Sequence, residues 1–218
     1  MSNSKVIEKE LKLADRATLS LLSTLEEGES TTQRGLASRV GVALGFTNSL
    51  LKRAVRKGLV KVKEAPTKRY MYYVTPKGFS EKSRLVAQYL STSLSFFRRA
   101  RNEYSELYKQ AEELGHKRVL LYGVSELAEI AILSAIESSV EVKAVAQAGS
   151  NTEFFSGLPI LSQITQETLE DFDIVVITCS DNPQAAYDQV CEIVPSERVF
   201  AAPLLHIRTP DVKAEEGA

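Results

Sequence analysis

A chain of 218 residues with 44% hydrophobic and 25% charged content is long enough for two modest cores, and its net charge of −1 hides a strong polarity. Residues 1–115 hold 21 Lys+Arg against 12 Asp+Glu, a balance of +9, whereas residues 116–218 hold 6 against 16, a balance of −10. No apolar run approaches the roughly 18 residues of a membrane span, Met1–Lys12 is unlike a signal peptide, and Cys179, Cys191, His116 and His206 are too scattered for a metal centre or a disulfide framework, so a cytoplasmic protein without membrane partner or metal is expected.

The basic half answers the phosphate backbone of a nucleic acid, and the acidic half avoids sticking to it. Ala14 to Leu25 reads as an amphipathic helix, with Ala17, Leu21, Leu22 and Leu25 at helical spacing and Gly28 closing it. Ser30-Thr31-Thr32 then caps a short helix that starts at Gln33, buries Leu36, Ala37 and Val40, and ends at Gly41. A third helix follows from about Leu44 to Lys57, apolar at Leu44, Leu50, Leu51, Ala54 and Val55. Its polar face holds Thr47, Asn48, Ser49, Lys52, Arg53 and Arg56, which is the sequence form of a helix-turn-helix. Short polar side chains near the start of a reader helix reach base edges, and cations farther along meet phosphates. Thr32, Gln33, Thr47, Asn48, Ser49, Lys52 and Arg53 are therefore the candidate DNA contacts.

Gly58 ends this helix, and Leu59–Glu64 and Tyr70–Val74 alternate as two strands around the turn Ala65-Pro66-Thr67-Lys68-Arg69. A hairpin directly behind the third helix is a wing, and Lys68 and Arg69 at its tip are placed to reach a DNA backbone or minor groove.

From Thr75 a long helix begins, since Thr is a capping residue, Pro76 suits the first helical position, and no further proline occurs until Pro159. A seven-residue frame from Ser83 runs through Val86, Leu90, Ser93, Phe97, Ala100, Tyr104, Leu107, Ala111 and Leu114. Some 39 residues at about 1.5 Å each make a rod of roughly 58 Å, and Val86, Leu90, Phe97, Tyr104 and Leu107 are the candidate homodimer seam. The competing reading is a core helix packed only within its own subunit.

The run Arg34-Gly35-Leu36-Ala37 through Lys57-Gly58-Leu59-Val60, with Tyr73-Val74-Thr75-Pro76-Lys77-Gly78, resembles winged-helix regulators of the MarR type. The continuation Gly78 to Leu85, with Phe96-Phe97-Arg98-Arg99-Ala100-Arg101, is similar to a bacterial subgroup associated with exopolysaccharide and surface-sugar gene clusters. The resemblance covers about residues 14–108 and implies a dimeric transcription factor on a near-palindromic duplex site.

In the acidic half, Val119–Gly123 reads as a buried parallel strand, Glu126–Ile136 as a helix, and Val140–Val145 as the next strand. Ile174–Thr178, the helix Gln184–Val194 and Arg198–Phe200 continue the alternation, so a parallel sheet covered on both faces is expected. Ligands of such sheets sit at the carboxyl ends of the strands, which makes Gly123, Ser125, Glu126, Gln147, Thr178, Ser180 and Asp181 the candidate site. The helix start beyond Gly123 is expected to offer free amides to an anion. The dinucleotide fingerprint is absent, because Gly123-Val124-Ser125-Glu126-Leu127-Ala128 keeps only its first glycine and Gln147 stands where an acid would hold a ribose. This half, with Gly157-Leu158-Pro159-Ile160, resembles the Rossmann-like domains of sugar-biosynthesis acyltransferases and the sensor domain of Rex redox repressors.

The fold expected is thus an α+β winged helix-turn-helix, residues 1–75, joined by a long dimerisation helix, 76–115, to an α/β Rossmann-like parallel-sheet domain, 116–210, with a flexible tail, 211–218. The function expected is a homodimeric DNA-binding regulator with a small-molecule effector, a nucleotide or sugar nucleotide, acting on surface-sugar genes. The alternatives are a Rex-like NADH sensor and a ligandless dimerisation module. No paired carboxylates, nucleophile–base set or P-loop point to an enzyme.

Overall fold

The structure, a computed structural model, describes residues 2–27, 33–65, 69–150 and 152–209. Thr32, the wing-tip Lys68 and the tail 211–218 lie outside the described residues. The chain divides into two compact units, Met1–Leu94 and Ser95–Ala218, and the division falls inside the long helix rather than at either end of it.

In the first unit, α1 (Ser2–Glu26), α2 (Gln33–Val40) and α3 (Leu44–Arg56) precede an antiparallel hairpin of β1 (Val60–Ala65) and β2 (Arg69–Val74). The apolar stripe of α1 is as its spacing requires, with Leu21 and Leu22 buried against Leu36, Val40, Leu50, Leu51, Ala54, Leu59 and Val60. The helix itself begins at Ser2, earlier than its apolar pattern suggests. Gly41 and Gly58 both adopt positive φ, +72° each, where they end α2 and follow α3. Leu44 and Val55, expected in the core, are exposed, and the buried position on that face is taken by Thr47.

The helix α4 (Pro76–Glu113) starts where Thr75 and Pro76 place it. The Thr75 hydroxyl donates to the Gly58 carbonyl at 2.6 Å and accepts the Gly78 amide at 3.1 Å, so one side chain caps the helix and ties it to the base of the hairpin. Gly78 is the second part of this joint: a Cβ there would lie 2.1 Å from the Leu59 carbonyl oxygen and 2.7 Å from Val74 Cγ1.

The second unit is a six-stranded sheet built from β3 (Arg118–Tyr122), β4 (Glu141–Ala146), β5 (Phe154–Phe155), β6 (Leu158–Leu161), β7 (Ile174–Ile177) and β8 (Val199–Ala201). Their order is β5-β6-β4-β3-β7-β8, parallel throughout except for β5, which pairs antiparallel with β6. The small β5–β6 hairpin was not expected from the sequence. Helix α5 (Glu126–Ala135) connects β3 to β4, and α6 (Pro183–Cys191) connects β7 to β8. These crossovers run in opposite directions from the β3–β7 pair, so right-handed connections put α5 and α6 on opposite faces.

The C-terminal part of α4 is a sheet-covering helix of this unit. Ser134 on α5 donates to the Arg101 carbonyl at 3.3 Å, Glu112 accepts the Ser139 hydroxyl at 2.9 Å, and Tyr104 donates to the Ile177 carbonyl at 3.3 Å. Burial pushes the phenols of Tyr104 and Tyr108 well above their ordinary range, which keeps both neutral. At the opposite end of β3, Asp173 accepts the amides of Lys117 and Arg118 at 2.8 Å and pairs with the Arg118 guanidinium at 2.7 Å. That guanidinium, aided by the two amides, holds the Asp173 carboxyl below the usual carboxylate range.

The seam expected along α4 is therefore not continuous. Tyr104 and Leu107 are buried in the core of their own subunit and Phe97 packs half-buried on it, whereas Val86 and Leu90 are exposed. Among the described residues no helix is long and apolar enough to cross a membrane.

Candidate functional site

The first candidate is the solvent face of α3. Ala43 stands at the N-cap and makes no side-chain cap bond, so the amides of Leu44, Gly45 and Phe46 have no partner within the helix. Starting in this open turn, Gly45, Ser49, the pair Lys52-Arg53 and Arg56 recur three or four residues apart along one face, and all are exposed. Lys52, Arg53 and Arg56 have no ion-pair partner among the described residues. Gly45 has ordinary helical φ and open space around its Cβ position, so nothing among the described residues requires a glycine there.

The structure corrects one of the expected reader residues. Thr47 is 0% exposed and its hydroxyl donates to the Ala43 carbonyl at 3.2 Å, so it belongs to the core face. Asn48 is half-buried and stays a candidate, and its Oδ1 is buried with no hydrogen-bond partner among the described residues. Ser49, Lys52 and Arg53 remain on the open face. Gln33 is exposed and donates to the Tyr72 hydroxyl at 3.4 Å, linking α2 to the hairpin. On the hairpin, Lys61 stands opposite Tyr73 and Lys63 opposite Met71, and all four are exposed. Arg69 is paired opposite Ala65 in the ladder. Gly45 was missed by the sequence reading, although a glycine inside a helical pattern is a visible signal.

The second candidate is the carboxyl edge of the sheet in the second unit. Gly123 has φ +107°, and a Cβ there would lie 2.7 Å from the Cys179 backbone nitrogen, so the turn after β3 presses on the turn after β7. Thr178 is buried, and its hydroxyl donates to the Gly123 carbonyl at 2.6 Å. Ser125 donates to the Thr178 carbonyl at 2.5 Å and accepts the amides of Leu127 and Ala128 at 3.1 and 3.4 Å. Both hydroxyls are thus spent within the fold, and the expected free amides at the start of α5 are already capped by Ser125. Ser125 and Thr178 are corrected from ligand contacts to fasteners of the crevice. Glu126, Ser180 and Asp181 are exposed beside it.

Gln147 lies elsewhere in function, because its Oε1 accepts the Val124 amide at 2.9 Å and its side chain lines a cavity of about 230 Å³. The last residues of three adjacent strands form part of this cavity: Tyr122 of β3, Ala146 of β4 and Leu161 of β6. Ala148 beside Gln147, the residues Gln189, Val190 and Ile193 at and just beyond the end of α6, and the loop Ser162-Gln163-Ile164 complete the lining. The Tyr122 hydroxyl donates to Gln189 Oε1 at 3.1 Å, and burial raises its pKa. Apart from Gln147, none of these positions was singled out from sequence, since they come together only through the sheet order.

No family model matches the chain. No curated protein matches it either. Among solved structures it is similar to MepR, a transcription regulator of the Staphylococcus aureus multidrug efflux pump MepA, at 17% identity and a TM-score of 0.34, over 42% of this chain and 77% of that one. The M. tuberculosis transcriptional regulator MosR is 24% identical with a TM-score of 0.34, over 51% of this chain and 94% of the other. PigF with SAH covers 81% of this chain and 66% of its own, at 11% identity and a TM-score of 0.30. Likeness at this level leaves the function to the chain's own residues.

Proposed function

We propose that the chain is a homodimeric DNA-binding transcription regulator of the winged-helix type, with a Rossmann-like second unit that senses a small molecule. The observation that carries the reading is the open face of α3: an uncapped first turn followed by Gly45, Ser49, Lys52, Arg53 and Arg56, with three cations that have no ion-pair partner among the described residues. Uncapped helix amides and cations together suit phosphate oxygens, and a small hydroxyl between them can bond a base edge. Exposed Lys61 and Lys63 on the hairpin extend the same chemistry. The surface-polysaccharide genes implied by the sequence resemblance are the target class in this reading.

The test is binding of the full chain to duplex DNA across a salt series, with Gly45→Ala as the diagnostic variant. Each phosphate contact contributes a slope of about −0.9 in log K against log salt, so a steep slope is expected. Gly45→Ala removes a poor helix former from an exposed position and is expected to stabilise the fold by about 0.5–1 kcal/mol. The same methyl group blocks close backbone approach, so DNA affinity is expected to fall at least several-fold. A variant that is both more stable and equally tight on DNA would remove the α3 face from the interface.

The dimer half of the reading rests on α4 within the first unit, where Val86, Tyr89, Leu90 and Leu94 are exposed. Burying large apolar side chains contributes about 1.5–3 kcal/mol each. Leu90→Asp combined with Leu94→Asp is therefore expected to give monomers by light scattering. Tyr104 and Leu107 are left out of this test, because substituting them would damage the second unit's own core. Dimers that survive would move the contact elsewhere.

A further inference from the structure

We infer that the cavity at the carboxyl edge of β3, β4 and β6 is a binding site for an uncharged, single-ring ligand carrying hydroxyl or carbonyl oxygens. Its place is the first reason, since ligands of open parallel sheets bind beyond the carboxyl ends of the strands, and three neighbouring strands end here in Tyr122, Ala146 and Leu161.

Charge is the second reason. None of the lining residues is ionisable at neutral pH, and the polar groups are the amides of Gln147, Gln163 and Gln189, the Ser162 hydroxyl and the Tyr122 phenol. The helix that borders the cavity does so with its C-terminal end, at Gln189 and Val190, where the backbone dipole is negative. The nearby start of α5 is capped by Ser125 and presents Glu126. A phosphate would therefore meet no cation, no uncapped turn of α5, and an unfavourable dipole.

Hydrogen-bonding capacity is the third reason. The Gln147 carbonyl oxygen is already used by the Val124 amide, and that of Gln189 by the Tyr122 hydroxyl, so both side chains keep their Nε2 groups as donors. Two amide donors above an apolar floor of Ala146, Leu161, Val190 and Ile193 call for a ring with neutral acceptor oxygens on its rim. About 230 Å³ is below the roughly 300–1,000 Å³ of pockets for drug-sized ligands, so one ring fits and a dinucleotide does not.

This inference deepens the sensor half of the proposed function, and its test uses no DNA, so failure here leaves the DNA-binding reading standing and the reverse also holds. Titration of the full chain, followed by ligand-observed NMR, compares neutral and charged versions of the same ring. The sugar arm is D-glucose and N-acetyl-D-glucosamine against D-glucose 6-phosphate; the nucleobase arm is uracil against its 6-carboxylate, orotate. At least one neutral probe is expected to bind, with its charged counterparts at least tenfold weaker. Ser162→Trp, at an exposed lining position, is expected to fill the cavity and abolish binding without changing the melting temperature, and Gln163→Trp replaces it where the first variant lowers that temperature. Charged probes binding as tightly as neutral ones, undiminished binding to the filled variant, or no neutral probe bound at about 10 mM, the weak end of fragment affinity, each overturns the proposal.

Discussion

Lys52→Glu combined with Arg53→Glu is expected to weaken binding to any duplex DNA by about a hundredfold or more. Both side chains are exposed on the open face of α3, and neither has an ion-pair partner among the described residues, so their charge is available to phosphates. A hydrogen bond to a charged group contributes about 1.5–3 kcal/mol, and replacing two cations by two anions removes two such contacts and adds repulsion. The salt slope should fall by about two, because two phosphate neutralisations are lost. Folding should be nearly unaffected, since exposed substitutions away from specific contacts usually change stability by no more than about 0.5 kcal/mol. Affinity and salt slope are measured by fluorescence anisotropy on near-palindromic and random-sequence duplexes, with urea melts as the control. An unchanged slope would show that nucleic acid, if bound at all, is held by another surface.

Gly78→Ala is expected to cost about 3 kcal/mol, a large part of the 5–15 kcal/mol that holds a typical domain together. The added methyl would sit 2.1 Å from the Leu59 carbonyl oxygen, a contact that no flexible side chain can relieve. That oxygen cannot retreat freely, because it accepts the Thr75 amide at 2.9 Å and lies 3.2 Å from the Thr75 hydroxyl. The start of α4 and the base of the hairpin must then separate, and the helix cap supplied by Thr75 goes with them. A urea unfolding series reads the loss as a shift in midpoint at constant slope. A change below about 0.5 kcal/mol would mean that the close packing at this joint is not needed for stability. The contrast with Gly45→Ala is informative, since both glycines are helical and only their surroundings give the two substitutions opposite signs.

These two glycines mark the border between what sequence can and cannot tell. Their helical positions were open to reading, because the spacing of Leu50, Leu51 and Ala54 and the pair Thr75-Pro76 place α3 and α4 by local rules. Whether a Cβ would meet a carbonyl or open space depends on a partner distant in the chain, in the case of Gly78 the carbonyl of Leu59, 19 positions earlier at the entry to β1. The same division runs along α4. Heptad spacing groups Leu90, Phe97, Tyr104 and Leu107 on one apolar stripe, but spacing does not say what covers a stripe, and the sheet of the second unit covers only its later part.

Polar residues were the harder case. Ser125 and Thr178 are of the type that binds ligands, yet each finds its acceptor more than 50 positions away in the chain, on the turn that parallel pairing brings alongside. Thr47 is satisfied by the Ala43 carbonyl one turn back, and its burial follows from how α3 rotates its apolar face onto α1 and α2. The β5–β6 hairpin escaped notice because two residues and four residues are too short to carry a period.

By itself the sequence determined the charge division, the positions of α2, α3 and the start of α4, the hairpin behind them, and the alternating strands and helices of the acidic half, all of which follow from periodicity, capping and turn chemistry within a few residues. The tertiary structure alone decided which hydroxyls are spent, which part of α4 is left bare, and that the ends of β3, β4 and β6 meet α6 around a neutral cavity. The physical reason is that hydrogen-bond satisfaction and burial are set by partners distant in the chain, which local propensity does not encode.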